Sequence, residues 1–238
     1  MQKKDTISSE VFEKFPEFIR GVVVVKEIKN SEKNFELEAL LKQQQNAVYN
    51  KNKGLRNISS DPCINNWRQA HIKLGSNPNQ YPPSIESLVK RVGQGKDIPF
   101  INTIVALFNY TSLKHMIPCG GDDLDSIKGD LLLTMADGTE EFIPLGMTKK
   151  ECPSPGEVVY LDTETKKVMC RKWNWRNGDA TKILAITKNI AINLDGLPPV
   201  SKSLIEEATK ELSQLIKKYC GGEVVYYFLD INNPSIEI

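Results

Sequence analysis

The periodicity of apolar residues changes near Asp130, and this change constrains the fold more than any other feature of the chain. Before it the spacing is helical. Ile64, Trp67, His71 and Leu74 form one stripe after Asp61-Pro62, where Asp can accept from first-turn N–H groups and Pro suits the first helical position. Ile85, Leu88, Val89 and Val92 follow at i, i+3, i+4, i+7, with Ser84 as cap and Gly93 and Gly95 as the stop. Ile101, Ile104, Val105 and Phe108 repeat that spacing, which predicts a core helix over Ile101–Lys114 with Asn102 and Asn109 on one flank. An earlier helical pattern covers Asn34–Asn50 and runs into the basic stretch Lys51–Arg56.

From Asp130 the runs are short and alternating: Asp130–Met135, Glu140–Leu145, Glu157–Asp162, Lys167–Trp175 and Lys182–Asn189, the first two joined by a tight turn at Asp137-Gly138. A β-branched strand, Gly21–Ile28, precedes the helical half after a frayed start. The chain closes with a helix over Ser203–Tyr219, capped by Ser203 and Glu206 and stopped by Gly221-Gly222, and a last strand, Glu223–Asp230. Helices gathered in one half and strands in the other, without regular alternation, predict an α+β fold with a mixed, largely antiparallel sheet and flanking helices. No repeat, low-complexity tract or linker divides the chain, so residues 1–238 read as one interlocked domain.

A length of 238 residues with 40% hydrophobic content is sufficient for a core without staples. The five cysteines never fall in a C-x-x-C spacing and read as reduced thiols, with Cys119 and Cys170 as the candidates for reactivity. Lys plus Arg (31) against Asp plus Glu (30) leaves no overall attraction to nucleic acid or an anionic membrane, so any RNA site must be a local patch. The opening residues lack the apolar core of a signal peptide, which points to a cytoplasmic protein. Nucleotide-binding glycine loops, H-E-x-x-H and G-x-S-x-G are missing, and His71 and His115, without cysteine pairs, are too few for a zinc site.

Two segments concentrate chemistry. In Pro118-Cys119-Gly120-Gly121-Asp122-Asp123 the glycines permit a turn whose N–H groups cradle a carbonyl oxygen, while Asp122 or Asp123 orients an amine or a water. A tight turn capped by Asp is the plain alternative. In Cys170–Arg176 a strand would place Arg171, Trp173 and Trp175 on one face and Lys172, Asn174 and Arg176 on the other, a platform for stacking a base beside cations. Core packing of the two tryptophans is the alternative there.

The order of Ile98-Pro99-Phe100-Ile101-Asn102, Asn109-Tyr110, Pro118, Asp123-Leu124-Asp125-Ser126-Ile127-Lys128-Gly129 and Thr187-Lys188-Asn189 resembles the editing module of the phenylalanyl-tRNA synthetase beta subunit, its domains three and four, over roughly Gly75–Asp195. Asn66-Trp67-Arg68 and Trp173-Asn174-Trp175-Arg176 are similar to free-standing proteins built from that module. The resemblance implies trans-acting hydrolysis of the ester in a mischarged aminoacyl-tRNA, without a ligase core; a non-catalytic module binding tRNA ends or an amino acid is the alternative. The resemblance matches Asn102, Asn109, Asp123 and Thr187 to polar positions of the editing module; taken with the residue readings above, Asn102, Asn109, Thr187 and Asn189 are expected to bind substrate, Gly120, Gly121, Asp122 and Asp123 to carry catalysis, and Trp173, Trp175, Arg176, Arg171 and Lys172 to meet the tRNA acceptor end. The resemblance implies no metal or organic cofactor and no membrane or DNA partner, and the oligomeric state is open. The family's H-A-F-D histidine falls on Gly120, and an acidic residue expected before Thr187 is replaced by Ile183-Leu184-Ala185-Ile186.

Overall fold

A computed structural model describes residues 2–53 and 58–238, so positions 54–56 of the basic stretch Lys51–Arg56 lie outside the described residues. The fold is α+β, and its strands form two sheets where the sequence predicts one. The strands are β1 (Lys4–Ile7), β2 (Ile19–Lys26), β3 (Cys119–Asp123), β4 (Leu131–Met135), β5 (Val158–Asp162), β6 (Val168–Arg171), β7 (Arg176–Asn177), β8 (Ile190–Gly196), β9 (Glu223–Leu229) and β10 (Ser235–Glu237), and the helices are α1 (Ser9–Lys14), α2 (Phe35–Asn52), α3 (Pro62–Lys73), α4 (Ser84–Gly93), α5 (Thr103–His115) and α6 (Lys202–Cys220). One sheet has the order β10-β1-β4-β5-β6-β7, and the other the order β3-β8-β2-β9. Every strand pair is antiparallel except β1–β4.

Strand β2 is apolar on both sides because both its faces are covered. Val22 and Val24 join Ala191, Leu131, Leu133, Val158 and Trp67 in a core between the sheets and helices α1, α3 and α4. Val23 and Val25 join Ile190, Ile192, Leu107 and Leu212 in a second core under α2, α5 and α6. Helix α6 passes so close that a Cβ on Gly21 would stand 1.9 Å from Thr209 Oγ1, which is why a glycine interrupts that strand.

Several boundaries differ from expectation, each for a local reason. The run Lys182–Asn189 is a loop; the strand is the following Ile190–Gly196, whose residues are all buried and therefore do not alternate. Glu140–Leu145 makes only isolated bridges, and β4 pairs with β5 instead. The predicted strand Lys167–Trp175 stops at Arg171, since Lys172 and Trp173 both adopt left-handed backbone (φ 48° and 65°). Ser84 is the first residue of α4, and Ser201, accepting from Leu204 N–H, caps α6 in place of Ser203. The supposedly frayed start is β1, held on both sides by β10 and β4.

Candidate active site

The segment Cys119–Asp123 is a strand and not a loop, and its pairing decides what each residue can do. Asp195 N–H donates to the Pro118 carbonyl and Leu124 N–H to the Asn189 carbonyl. Alternation along an antiparallel ladder then turns the N–H groups of Gly120 and Asp122 toward β8, and those of Gly121 and Asp123 toward the open edge. Asp123 N–H is taken by the Thr181 carbonyl at 3.0 Å. Of the two glycines read as donors to a carbonyl oxygen, Gly120 therefore spends its N–H inside the sheet, and Gly121 alone faces the edge.

Side chains alternate as well. Gly121 lies under α5: a Cβ there would stand 2.6 Å from the Ala191 carbonyl oxygen and 3.1 Å from Phe108 Cζ. Gly120 faces the other way, toward the space between the sheets, and nothing lies within 4 Å of where its Cβ would be. Its cross-strand partner is Asn193, buried, with Oδ1 unbonded. On the same face, two residues along β3, Asp122 accepts from the Thr181 hydroxyl through Oδ1, while its Oδ2 has no hydrogen-bond partner among the described residues. Burial pushes the Asp122 carboxyl up to about 6, against the opposing pull of the Thr181 hydroxyl and Arg20. Gly120, Asp122 and Asn193 thus frame a recess with a carboxyl that titrates near neutrality.

Behind the recess runs a buried polar network that links the sheets. Arg20 on β2 donates to Asp195 Oδ1 from Nε at 2.8 Å and to Tyr160 Oη at 2.6 Å. The Tyr160 hydroxyl in turn donates to Asp195 Oδ2, which also accepts from Trp173 Nε1 at 3.0 Å. Asp5 stands 3.5 Å from the guanidinium; its burial outweighs the attraction of Arg20 and raises its carboxyl to about 6. Sequence reading missed Arg20, Tyr160, Asp195, Asn193 and Thr181. The available signal was charge at strand positions otherwise filled by apolar residues: Arg20 beside Val22–Val25, and Asp195 ending Ile190-Ala191-Ile192-Asn193-Leu194.

The remaining predicted substrate residues are occupied with structure. Asn102 caps α5, accepting from Val105 N–H at 3.0 Å and donating to the Ile183 carbonyl at 3.1 Å, so it does not share a helical flank with Asn109. Asn109 lies half-buried within α5. Asp123 accepts from Asp125 N–H and from the Thr187 hydroxyl, and Thr187 in turn accepts from Leu184 N–H. Asn189 bridges Asp125 and the Glu27 N–H. These contacts pin the 181–189 loop against β3 and leave Asp122 as the carboxylate that faces the recess.

The aromatic–basic segment is divided, since residues 172–175 form a turn. Trp173 is fully buried and packs edge-on against Phe15, Phe18 and Trp67, so it is not a stacking platform. Arg171 grips Glu157 through two bonds of 2.7 and 2.9 Å and reaches Glu151 at 2.9 Å, while Lys172 holds Glu157 at 3.1 Å. Trp175 and Arg176 remain half-exposed, the guanidinium 5.9 Å from the indole centroid and Tyr81 edge-on to the indole. Burial pushes the thiols of Cys119 and Cys170 upward, which works against the thiolate form that a nucleophilic cysteine needs. His115 Nε2 donates to the Glu211 carboxylate on α6 at 2.8 Å. Among the described residues no group of three His, Cys, Asp or Glu is placed to hold a metal, and no helix is long and apolar enough to cross a membrane.

Comparison with proteins of curated function returns no match. Among solved structures, the chain is similar to an N-terminal fragment of the phenylalanyl-tRNA synthetase beta subunit from Pyrococcus horikoshii, with 13% identity, a TM-score of 0.45, and coverage of 94% of this chain and 52% of that one. The chain thus spans about half the length of that structure. The B3/4 domain model matches residues 66–221, a span that includes most of α3, all of α4 to α6, the recess at Gly120 and the whole 172–176 segment. With well over half its length matched by that model, the chain belongs to the B3/4 domain family.

Proposed function

We propose that this protein hydrolyses the ester between an amino acid and the terminal ribose of a tRNA, acting in trans in the cytoplasm on charged tRNA. The observation that carries the reading is the recess at Gly120: an open position on a strand flanked by a buried carboxyl raised to about 6 and an unbonded amide oxygen. Family membership and the motif order that resembles the synthetase editing module support the choice of substrate.

An aminoacyl ester is already activated, so placing a water and stabilising the oxyanion are sufficient. In this reading Asp122, ionised at neutral pH, takes a proton from water through Oδ2 as the oxygen adds to the carbonyl carbon. The edge-facing N–H of Gly121 donates to the oxyanion. Collapse breaks the bond to the ribose oxygen, and Asp122 returns the proton to that oxygen. Asn193 Oδ1 accepts from the amino group of the bound amino acid, and Gly120 leaves room for its side chain. Trp175 and Arg176 contact the acceptor end.

Release of amino acid from a panel of correctly and incorrectly charged tRNAs, against a heat-inactivated control, tests the reading. Selective turnover of one mischarged species is expected. Saturable binding with no turnover would favour the binding-module alternative, in which Asp122 serves only to hold Thr181 and the loop that follows it.

A further inference from the structure

The four-stranded sheet ends at β9, whose outer edge pairs with no strand among the described residues. The opposite edge, β3, is partly closed by the Thr181 carbonyl on Asp123 N–H. The edge strands of the other sheet, β7 and β10, are only two and three residues long. Strand β9 spans seven residues, with no proline, no register shift against β2 and no charge between Val224 and Leu229. Prolines, bulges and charges are how natural edges avoid pairing with another chain, and this stretch has none of them. Val225 and Tyr226 stand 47% and 43% exposed on it.

The ladder fixes which groups the edge offers. Asn193 and Ala191 bond to β3, so Ile192 and Ile190 bond to β2, which leaves Val22 and Val24 to bond Tyr227 and Val225 of β9. The N–H and C=O groups of Val224, Tyr226 and Phe228 therefore point outward. In agreement, the Phe228 carbonyl accepts from Asn233 Nδ2 at 2.9 Å, a side chain outside the ladder. At the other end the Gly222 carbonyl accepts from Lys217 Nζ. Between these two side-chain caps, Val224 and Tyr226 present two donors and two acceptors with no partner among the described residues.

We infer that this edge pairs with β9 of a second copy, antiparallel across a two-fold axis at Val225, so that the two four-stranded sheets become one continuous sheet. In that register Val224 of each copy meets Tyr226 of the other, and every open donor finds an open acceptor. An axis at Tyr226 or at Val224 would instead draw on the Phe228 or the Gly222 carbonyl, both already taken. The two Val225 side chains meet at the axis in a non-hydrogen-bonded pair with Cβ atoms about 5 Å apart, so the exposed apolar surface covers its own image. Charge agrees with the antiparallel sense. Lys217, which holds no carboxylate among the described residues, lies at the Gly222 end, and Asp230 lies just beyond Phe228, so pairing carries each lysine toward the aspartate of the other copy. The match is reciprocal, as a two-fold contact requires. A single strand pair is at the small end of specific interfaces, so the dimer forms at micromolar and not nanomolar concentration. The recess at Gly120 lies on β3 at the far edge of the sheet and takes no part in the contact, so the inference does not depend on the hydrolytic reading.

Sedimentation velocity of the full chain over a concentration series tests it. Wild type should pass from a single chain of 26.8 kDa toward twice that mass as its concentration rises to about 100 μM. Val225→Lys and Val225→Glu each set like charges face to face at the axis. Each should weaken self-association by at least about tenfold, with a melting temperature within a few degrees of wild type at dilutions where wild type is a single chain. Mixed in equal amounts, the two variants should pair again, because lysine then faces glutamate. Wild type that remains a single chain up to about 1 mM, variants that self-associate as wild type does, or a mixture of the folded variants that fails to pair would overturn the inference. Wild type that stays a single chain yet binds a β-strand peptide at this edge would overturn it too, giving the edge to another protein. Release of amino acid from charged tRNA is measured separately, so failure of either reading leaves the other standing.

Discussion

Gly120 and Asn193 face each other across β3 and β8 beside an open position: nothing lies within 4 Å of the missing Cβ, and the amide oxygen opposite it is buried and unbonded. Elsewhere on this face the side chains either pack in the main core or join the Arg20 network. The hydrolytic reading assigns this space to the amino acid of the substrate.

Filling the space separates fold from function. Gly120 has no positive φ and no close neighbour, so Gly120→Ala should fold normally and gain up to about 1 kcal/mol from reduced chain entropy. Gly120→Leu should keep the melting temperature within a few degrees of wild type while abolishing deacylation. Thermal unfolding and single-turnover release of amino acid, measured on the same preparations, check both halves.

Asp122 should make stability depend on pH in a definite direction. Its carboxyl is raised from the ordinary 3.8 to about 6 in the folded protein, so between those values the folded state holds the proton more tightly. Its contribution to stability is therefore full below about pH 4 and is lost as pH rises through 6. Asp122→Asn removes this dependence, and relative to wild type should gain up to about 3 kcal/mol on going from pH 4 to pH 7. Denaturant unfolding at the two pH values is the check; a difference that is flat or of opposite sign contradicts a raised carboxyl.

The Arg20–Asp195 pair tests the joint between the sheets. Both side chains are buried, and the remaining donors and acceptors around them are largely satisfied by Tyr160 and Trp173. Removing one partner strands the other charge, so Asp195→Asn or Arg20→Met should each cost about 3–5 kcal/mol in denaturant unfolding. The two substitutions combined should cost less than their sum.

The tryptophans should behave oppositely. Trp173→Ala removes a fully buried ring from the centre of the core and should cost about 3–5 kcal/mol. Trp175→Ala should change stability by less than about 1 kcal/mol and weaken tRNA binding by about 1–3 kcal/mol if a base stacks there. Equal effects on tRNA binding at unchanged stability would show that both rings are exposed, contrary to the structure.

The sequence was most legible where physics is local. The helix entered at Asp61-Pro62 has the Asp61 carboxylate on Cys63 N–H, and the stop at Gly221-Gly222 lies where α6 ends. The β-branched run Val22–Val25 is a strand for the reason its composition suggests. Legibility failed where pairing partners distant in sequence decide. Cys119–Asp123 has the composition of a turn, and becomes a strand because β8 offers a complete ladder. Ile190–Gly196 escaped notice because a strand buried on both faces loses its alternation. At the candidate site, Asp122 and Gly120 were identifiable from their segment, whereas Asn193 and Thr181 join them only through the fold. Asn102, Asp123, Thr187 and Asn189 carry polar side chains that the fold spends on its own caps and loops.

The most direct test of the central claim compares wild type with Asp122→Asn for release of amino acid from the mischarged tRNA that wild type prefers, across pH 5 to 8. Wild-type turnover should rise with a midpoint at about 6, where Asp122 ionises, and the folded variant should be slower by a factor of about 10²–10⁴ at pH 7. A folded variant as fast as wild type, or wild-type protein that releases nothing from any charged tRNA, would contradict the account.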